Sequence, residues 1–419
     1  MKKAVACLLT LLLMLTMIYP AFALEKDETL SLAVLGDSIA YGTGLHIGEK
    51  AYRTLVTEHF DGAIQTNYAW DGNEYEDVLK SITRNRTQIA NANCYTLSVG
   101  SNDYLEYVAD YIFKISTPDP KDQFSLPYED VPDFLEDVLV THSSGMTDGI
   151  LNFLHSGQAS RTDWKNGFCD TLKTNLTDII GQLHSCNEEA PILLLNYYSP
   201  GDPYMSFADK ASALLNAANQ HIHEAISLFD RLQTAPLGQQ AILLTLMNTK
   251  LVKLSADIYL FVPLLKQFDL DLTLLSPLLA LVGVGFVGIE AFSRDRTILE
   301  KLAEITELIT GVDQLIDFTH DALLQMNGMM NDLARDDKLV IIIDVAEIGK
   351  SVETISGIDH FHPSAAGQQI IANKMIAALE TIYAGGTVTP PAPEQTDWMM
   401  TGPIIILRWW LAQIMADMK

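Results

Sequence analysis

The chain has 419 residues, enough for one large α/β domain with insertions or for two domains. Lysine and arginine number 27 against 53 aspartates and glutamates, a formal net charge of −26. That charge repels nucleic acid and anionic membrane surfaces over most of the molecule, so no nucleic-acid partner is expected.

At the N-terminus, Met1-Lys2-Lys3 precedes an apolar run from Val5 to Ile18 that ends in Pro20-Ala21-Phe22-Ala23. This is the layout of a secretory signal peptide over residues 1–23, which predicts a secreted or cell-surface protein of about 396 residues after cleavage. The run falls short of the ~20 residues of a spanning helix, so an uncleaved anchor is the weaker reading. Cys7 lies inside the run and not at the cleavage point, unlike a lipid-attachment cysteine. Export permits a disulfide, for which Cys169 and Cys186 are the better pair, because Cys94 sits in an apolar, strand-like run and reads as a buried thiol. No spacing resembles a zinc site, and His221-Ile222-His223 reads as surface helix rather than metal ligand.

Ser31 to Leu35 is a short β-prone run ending at Gly36; Ala63 to Asn67 is a second, and Tyr95 to Val99, ending at Gly100, a third. A fourth, Pro191 to Tyr197, follows a helical pattern from Cys169 to Leu183, and a fifth, Lys338 to Val345, is nearly all valine and isoleucine. A further helical run covers Ala365 to Ile382. Apolar strands alternating with helices predict an α/β fold with about five parallel strands buried under helices on both faces, with ligands at the strand C-terminal ends.

The connections after the third and fourth strands exceed one crossover helix, so residues 105–168 and 234–335 read as insertions forming a helical cap or lid. The second holds Leu272 to Ile289, eighteen residues without a charge. Pro277, Gly283, Gly285 and Gly288 lower its helix propensity, so a buried lid hairpin is preferred over a membrane-inserting lid or a true span. Gly283 to Gly288 matches the dinucleotide fingerprint letter by letter, but it lacks the surrounding strand–helix unit and is set aside. After residue 384 comes a Pro/Gly linker, 385–402, and then an apolar tail, 403–419. Read as a helix, the tail places Arg408, Gln413 and Asp417 on one stripe and Trp409 and Trp410 on a wide apolar face. That face docks on protein, on a second copy, or in a membrane interface. Oligomeric state is left open.

Four short motifs stand at strand ends or in the final loop. Gly36-Asp37-Ser38 follows the first strand, where a serine can present its hydroxyl in the strand-end crevice with its own N–H free. Asn67-Tyr68-Ala69-Trp70-Asp71-Gly72 follows the second, where a glycine lets backbone approach a substrate. Gly100-Ser101-Asn102-Asp103 follows the third, and its asparagine amide can donate to a developing oxyanion. Asp359-His360-Phe361-His362-Pro363 lies before the last helix, where an Asp three residues ahead of a His can hold the imidazole Nδ1–H and stabilise the imidazolium. His360 is the rival base, and the three-residue offset favours His362. Each of the first three motifs, taken alone, also reads as a turn or a helix cap.

Together and in this order, the four blocks resemble those of the SGNH/GDSL hydrolases, at Ser38, Gly72, Asn102 and His362. The resemblance spans about residues 30–384 and implies a flavodoxin-like three-layer α/β/α fold. It implies Ser38 as nucleophile, His362 as base and then acid, and Asp359 orienting His362. The N–H groups of Ser38 and Gly72 and the Asn102 side chain would form the oxyanion hole, each donor worth ~3 kcal/mol of barrier. No cofactor and no metal is implied. Where members of the family often carry a first glycine in the second block, this chain has Ala69, which bears on how that loop sits.

Three functions follow from this reading. The first is a secreted esterase or lipase, since an apolar lid and tail suit a hydrophobic acyl chain on a small-molecule or lipid ester, with membrane-interface contact through 272–289 or 403–419. The second is a carbohydrate O-acetyl esterase, with Trp70, Tyr197 and Tyr198 available to stack on an acetylated glycan. The third is a non-catalytic surface protein of the same fold. The acyl and alcohol groups are not legible in the residues.

Overall fold

The computed structural model describes residues 29–107, 152–153, 155–198, 205–266, 314, 318–356 and 362–391. The readings made for the N-terminal run 1–23, for 272–289, for most of the linker, for the tail 403–419 and for Asp359 lie outside the described residues.

Five strands form one parallel sheet: β1 (Ser31–Gly36), β2 (Ile64–Asn67), β3 (Cys94–Ser98), β4 (Ile192–Leu195) and β5 (Val340–Ile343), in the order β2-β1-β3-β4-β5. This is the doubly wound, flavodoxin-like arrangement, and the strand order reverses between β1 and β3, which brings their C-terminal ends together at a crevice. The runs legible in the sequence coincide with all five strands. The exception to two-faced burial is β2, one of the two edge strands, whose Ile-Gln-Thr-Asn sequence is mostly exposed.

Strand residues alternate between two cores, as a two-residue period requires. On one face, Ala33, Leu35, Tyr95, Leu97, Ile192, Leu194, Val340 and Ile342 meet helices α3 (Tyr75–Arg84), α4 (Arg86–Ile89) and α6 (Gln158–His184). On the other, Leu32, Val34, Cys94, Leu193, Leu195, Ile341 and Ile343 meet α1 (Ser38–Tyr41), α2 (Tyr52–His59) and α9 (Ala365–Tyr383). The result is a three-layer α/β/α domain.

The insertions are narrower than their sequence bounds. Helix α5 (Ser101–Tyr107) and α6 from Phe168 onward belong to the sheet-covering layer: Tyr104 and Phe168 are buried in the first core, and the Tyr107 hydroxyl donates to Trp164 O at 2.8 Å. The end of the second insertion belongs there too. A helical run through residues 318–336 buries Ala322, Met326, Met330 and Ala334, spaced four apart, against the same core. Between β4 and that run, α7 (Met205–Thr234) and α8 (Leu237–Lys266) form an antiparallel hairpin with a seam of its own, including Ile222, Phe229, Met247 and Leu254. None of the helices among the described residues is long and apolar enough to cross a membrane.

Cys94, Cys169 and Cys186 are all free thiols, so the Cys169–Cys186 bridge that export would permit is not formed. Cys169 lies fifteen residues before the end of α6 and Cys186 lies beyond it. At ~1.5 Å per residue the helix holds them more than about 20 Å apart, far beyond bridging distance.

One buried amide ties the layer that carries α9 to the strand-end turn. Gln368, fully buried, accepts from Tyr52 N–H at 2.8 Å and donates to Ile39 O at 3.2 Å. Replacing it by leucine leaves a buried donor and a buried acceptor unpaired, and Gln368→Leu is expected to lower stability by roughly 3 kcal/mol. Denaturant unfolding of both proteins checks this; a change within experimental error would show that the two groups find other partners.

Candidate active site

The first motif folds as it does because β1 and β3 end side by side. Gly36 has φ +130° and pairs with Ser98, and a Cβ at this position would collide with the Ser98 carbonyl. Only glycine allows that approach. The chain then turns: Asp37 N donates to Ser98 O at 2.8 Å, and the Asp37 carboxylate accepts from Ile39 N at 3.1 Å and from Ser98 Oγ at 2.8 Å. Asp37 is therefore the N-cap of α1, and Ser38 is that helix's first residue. Burial pushes the Asp37 carboxyl up to about 6, although both hydrogen bonds and the nearby His362 act to lower it.

His362 reaches this turn from the far end of the chain. Its Nε2 lies 2.8 Å from Ser38 Oγ, and both residues are buried. The histidine is held on both sides of its backbone: Ser356 N donates to His362 O at 2.7 Å, and Pro363 bridges to Ile355. Ser356 Oγ in turn donates to Gly44 O at 2.7 Å. Immediately after, Ser364 caps α9 by accepting from Gly367 N. The loop after α1 packs against the imidazole-bearing residue so closely that a Cβ on Gly44 would come within 2.7 Å of His362 Cβ.

The second and third motifs flank the pair. Gly72, buried and with φ +70°, sits in the turn after β2. That turn is laced to both neighbours: Trp70 N and Asn73 Nδ2 donate to Gly36 O at 3.1 and 2.9 Å, and Asn102 Nδ2 donates to Asn73 O at 2.9 Å. The amide of Asn102 carries two hydrogens and this bond uses one. Among the described residues neither the Ser38 nor the Gly72 backbone N–H has an acceptor. An open donor in the nucleophile turn and another in the turn bonded to it are what a site for a developing oxyanion requires.

The structure thus brings Ser38 and His362 into contact and links the Gly72 and Asn102 motifs to the same turn; Asp359 and the rival His360 lie outside the described residues. Tyr197 and Tyr198 do not offer stacking faces. Both are buried, and the Tyr197 hydroxyl donates to Val99 O at 2.7 Å, so of the three aromatics expected to stack on sugar only Trp70 is exposed, at 57%.

Several members of the site are absent from the sequence reading. Ser98 could have been found, because a hydroxyl inside an otherwise apolar strand must meet a partner. Asn73, Thr43 and Asp71 gave no signal, since their partners are set by how loops pack. Asp71 follows the exposed Trp70, its carboxylate accepts from Thr43 Oγ1, and it is electrostatically coupled to His362.

Residues 34–231, a little under half of the chain, match the model of the GDSL-like Lipase/Acylhydrolase family. A search among curated proteins finds no match. Over 84% of its length the chain aligns with the lipase Lip_vut3 from a goat rumen metagenome, at 13% identity, 97% of that chain and a TM-score of 0.39. Over the same share it aligns with an extracellular lipase from Streptomyces rimosus, at 13% identity, 100% of that chain and a TM-score of 0.37. The family region holds the first three motifs, and His362 comes to it from outside the matched residues.

Asp103, in the third motif of this GDSL-like region, accepts from Tyr75 N at 3.3 Å. Burial raises its carboxyl to about 7, with Glu74 adding to the rise and the Tyr75 bond opposing it. A folded value above the unfolded one, near 4, means that this group's contribution to stability is complete below about pH 4 and is lost as pH rises through about 7. Asp103→Asn cannot ionise and still accepts from Tyr75. Its Tm relative to wild type is therefore expected to climb between pH 4 and pH 8, and thermal melts across that range test it; a constant difference would refute the assignment.

Proposed function

We propose that the chain is a secreted serine ester hydrolase acting on carboxylic esters. The observation that carries this reading is the 2.8 Å contact between the buried Ser38 Oγ and His362 Nε2, made across 324 positions of sequence at the strand-end crevice. A serine hydroxyl is a weak nucleophile until a neighbouring base takes its proton, and a histidine at this distance does so. Ser38 would then attack the ester carbonyl, and the negative oxygen would be held by the open N–H groups of Ser38 and Gly72 and by the second N–H of Asn102. Protonated His362 would donate to the departing alcohol, leaving an acyl group on Ser38 Oγ. A water activated by the same imidazole would release the acid. Asp359 is assigned the orienting role by its three-residue offset from His362.

The family match supports the ester-hydrolase class. Apolar acyl chains are favoured over acetylated glycans because two of the three candidate sugar-stacking rings are buried. Export is proposed from the positive–apolar–small pattern of residues 1–23.

Hydrolysis of p-nitrophenyl esters from acetate to palmitate tests the reading. Wild type is expected to be active with a preference for longer chains, Ser38→Ala to lose at least about 10³-fold in kcat, and Asn102→Ala to lose about 10²-fold with little change in KM. Full activity in Ser38→Ala would refute the mechanism. Activity confined to acetate, with release of acetate from acetylated polysaccharide, would move the assignment to a carbohydrate esterase.

A further inference from the structure

The turn that carries Gly72 has no first glycine to shape it, having Ala69 in that place, yet two contacts hold it against the turn that carries Ser38. The ring of Trp70 packs on Tyr41 with centroids 5.1 Å apart. The Asp71 carboxylate accepts a hydrogen bond from Thr43 Oγ1. Tyr41 and Thr43 flank the end of α1, and the Thr43 N–H donates to Ser38 O at 3.0 Å. Arg53 braces the same helix end by donating to Ala40 O at 2.7 Å and to Tyr41 O. A chain of direct contacts therefore runs from Ser38 through Thr43 to Asp71 and its neighbour Gly72.

Resting on the serine-hydrolase reading above, we propose that Asp71 is a positioning residue. Through Thr43 it fixes the oxyanion turn against the nucleophile turn. Arg53 is turned to the carbonyl oxygens of α1. Burial raises the Asp71 carboxyl, whereas Thr43 and His362 lower it, as a half-buried carboxylate between a donor and an imidazole must show.

Substitution tests the contact from both sides. Thr43→Val keeps the shape and removes the donor; Thr43→Ser restores it. Asp71→Ala removes the acceptor. The readout is the rate at which a fluorophosphonate labels Ser38, which needs no knowledge of the natural ester, followed from pH 4 to pH 9 on the full chain. Thr43→Val is expected to be labelled about tenfold more slowly, since small misplacement of reacting groups is costly, and Thr43→Ser to recover most of the rate. Asp71→Ala is expected to be slowed as Thr43→Val is, since it breaks the same contact from the other side. An unchanged rate in Thr43→Val, or no recovery in Thr43→Ser, overturns the proposal. Absence of label on Ser38 in wild type would instead count against the serine mechanism, and the proposal, which rests on that mechanism, would fall with it.

Discussion

The backbone of Gly36 lies against the carbonyl of Ser98, where the two central strands of the sheet end together, and the candidate site is assembled around that contact. It forces the chain to leave the sheet at a set point, so that Asp37 can cap a four-residue helix whose first residue is Ser38. It also leaves Gly36 O facing the next loop, where it accepts from both Trp70 N and Asn73 Nδ2. One strand end thus holds the nucleophile turn and the second-motif turn in register. Short helices have little stability of their own, so α1 depends on this cap, on Gln368 beneath it and on Arg53 at its far end.

The opposite half of the site is supplied by the last helix. His362 precedes the N-cap of α9, and α9 packs on β5 and against α2 through Ile371, Met375, Ala378 and Leu379. Its position relative to Ser38 is therefore fixed by a whole helical layer as well as by its own loop. That layer reaches the nucleophile turn directly through Gln368, whose side chain contacts both Ile39 and Tyr52. A contact across more than 300 positions of sequence is costly in loop-closure entropy, and it is made here between two turns that are each already ordered by neighbours in the sheet.

How much of this was legible in the residues depends on the range of the interaction that decides each part. The five strands were legible because burial on both faces leaves continuous apolar runs such as Leu193, Leu194 and Leu195, or Val340 to Ile343. The order of the motifs was legible because parallel sheets put their loops at one end. The insertion bounds were not, since 318–336 shows the same helical spacing whether its methionines face a sheet or another helix. The cysteine pair was not legible for a related reason: proximity in sequence is not proximity in space when fifteen residues of helix run between Cys169 and the helix end that precedes Cys186. Thr43, Asp71 and Asn73 were invisible because each is an ordinary polar loop residue until the fold presents its partner.

Electrostatics gives the site its last constraint. Two carboxyls, Asp37 and Asp71, lie near one imidazole, and burial raises both. A buried carboxylate is costly unless something compensates its charge, and each has a partial remedy in a hydroxyl donor, Ser98 for Asp37 and Thr43 for Asp71. For Asp37 the remedy is incomplete, because among the described residues its Oδ2 has no hydrogen-bond partner. The charge that best relieves both groups is the one that forms on His362 when it takes a proton from Ser38. On the proposed mechanism that charge exists only during turnover, so the cost of holding one buried and one half-buried acid in the resting protein is offset at the step where their field is useful.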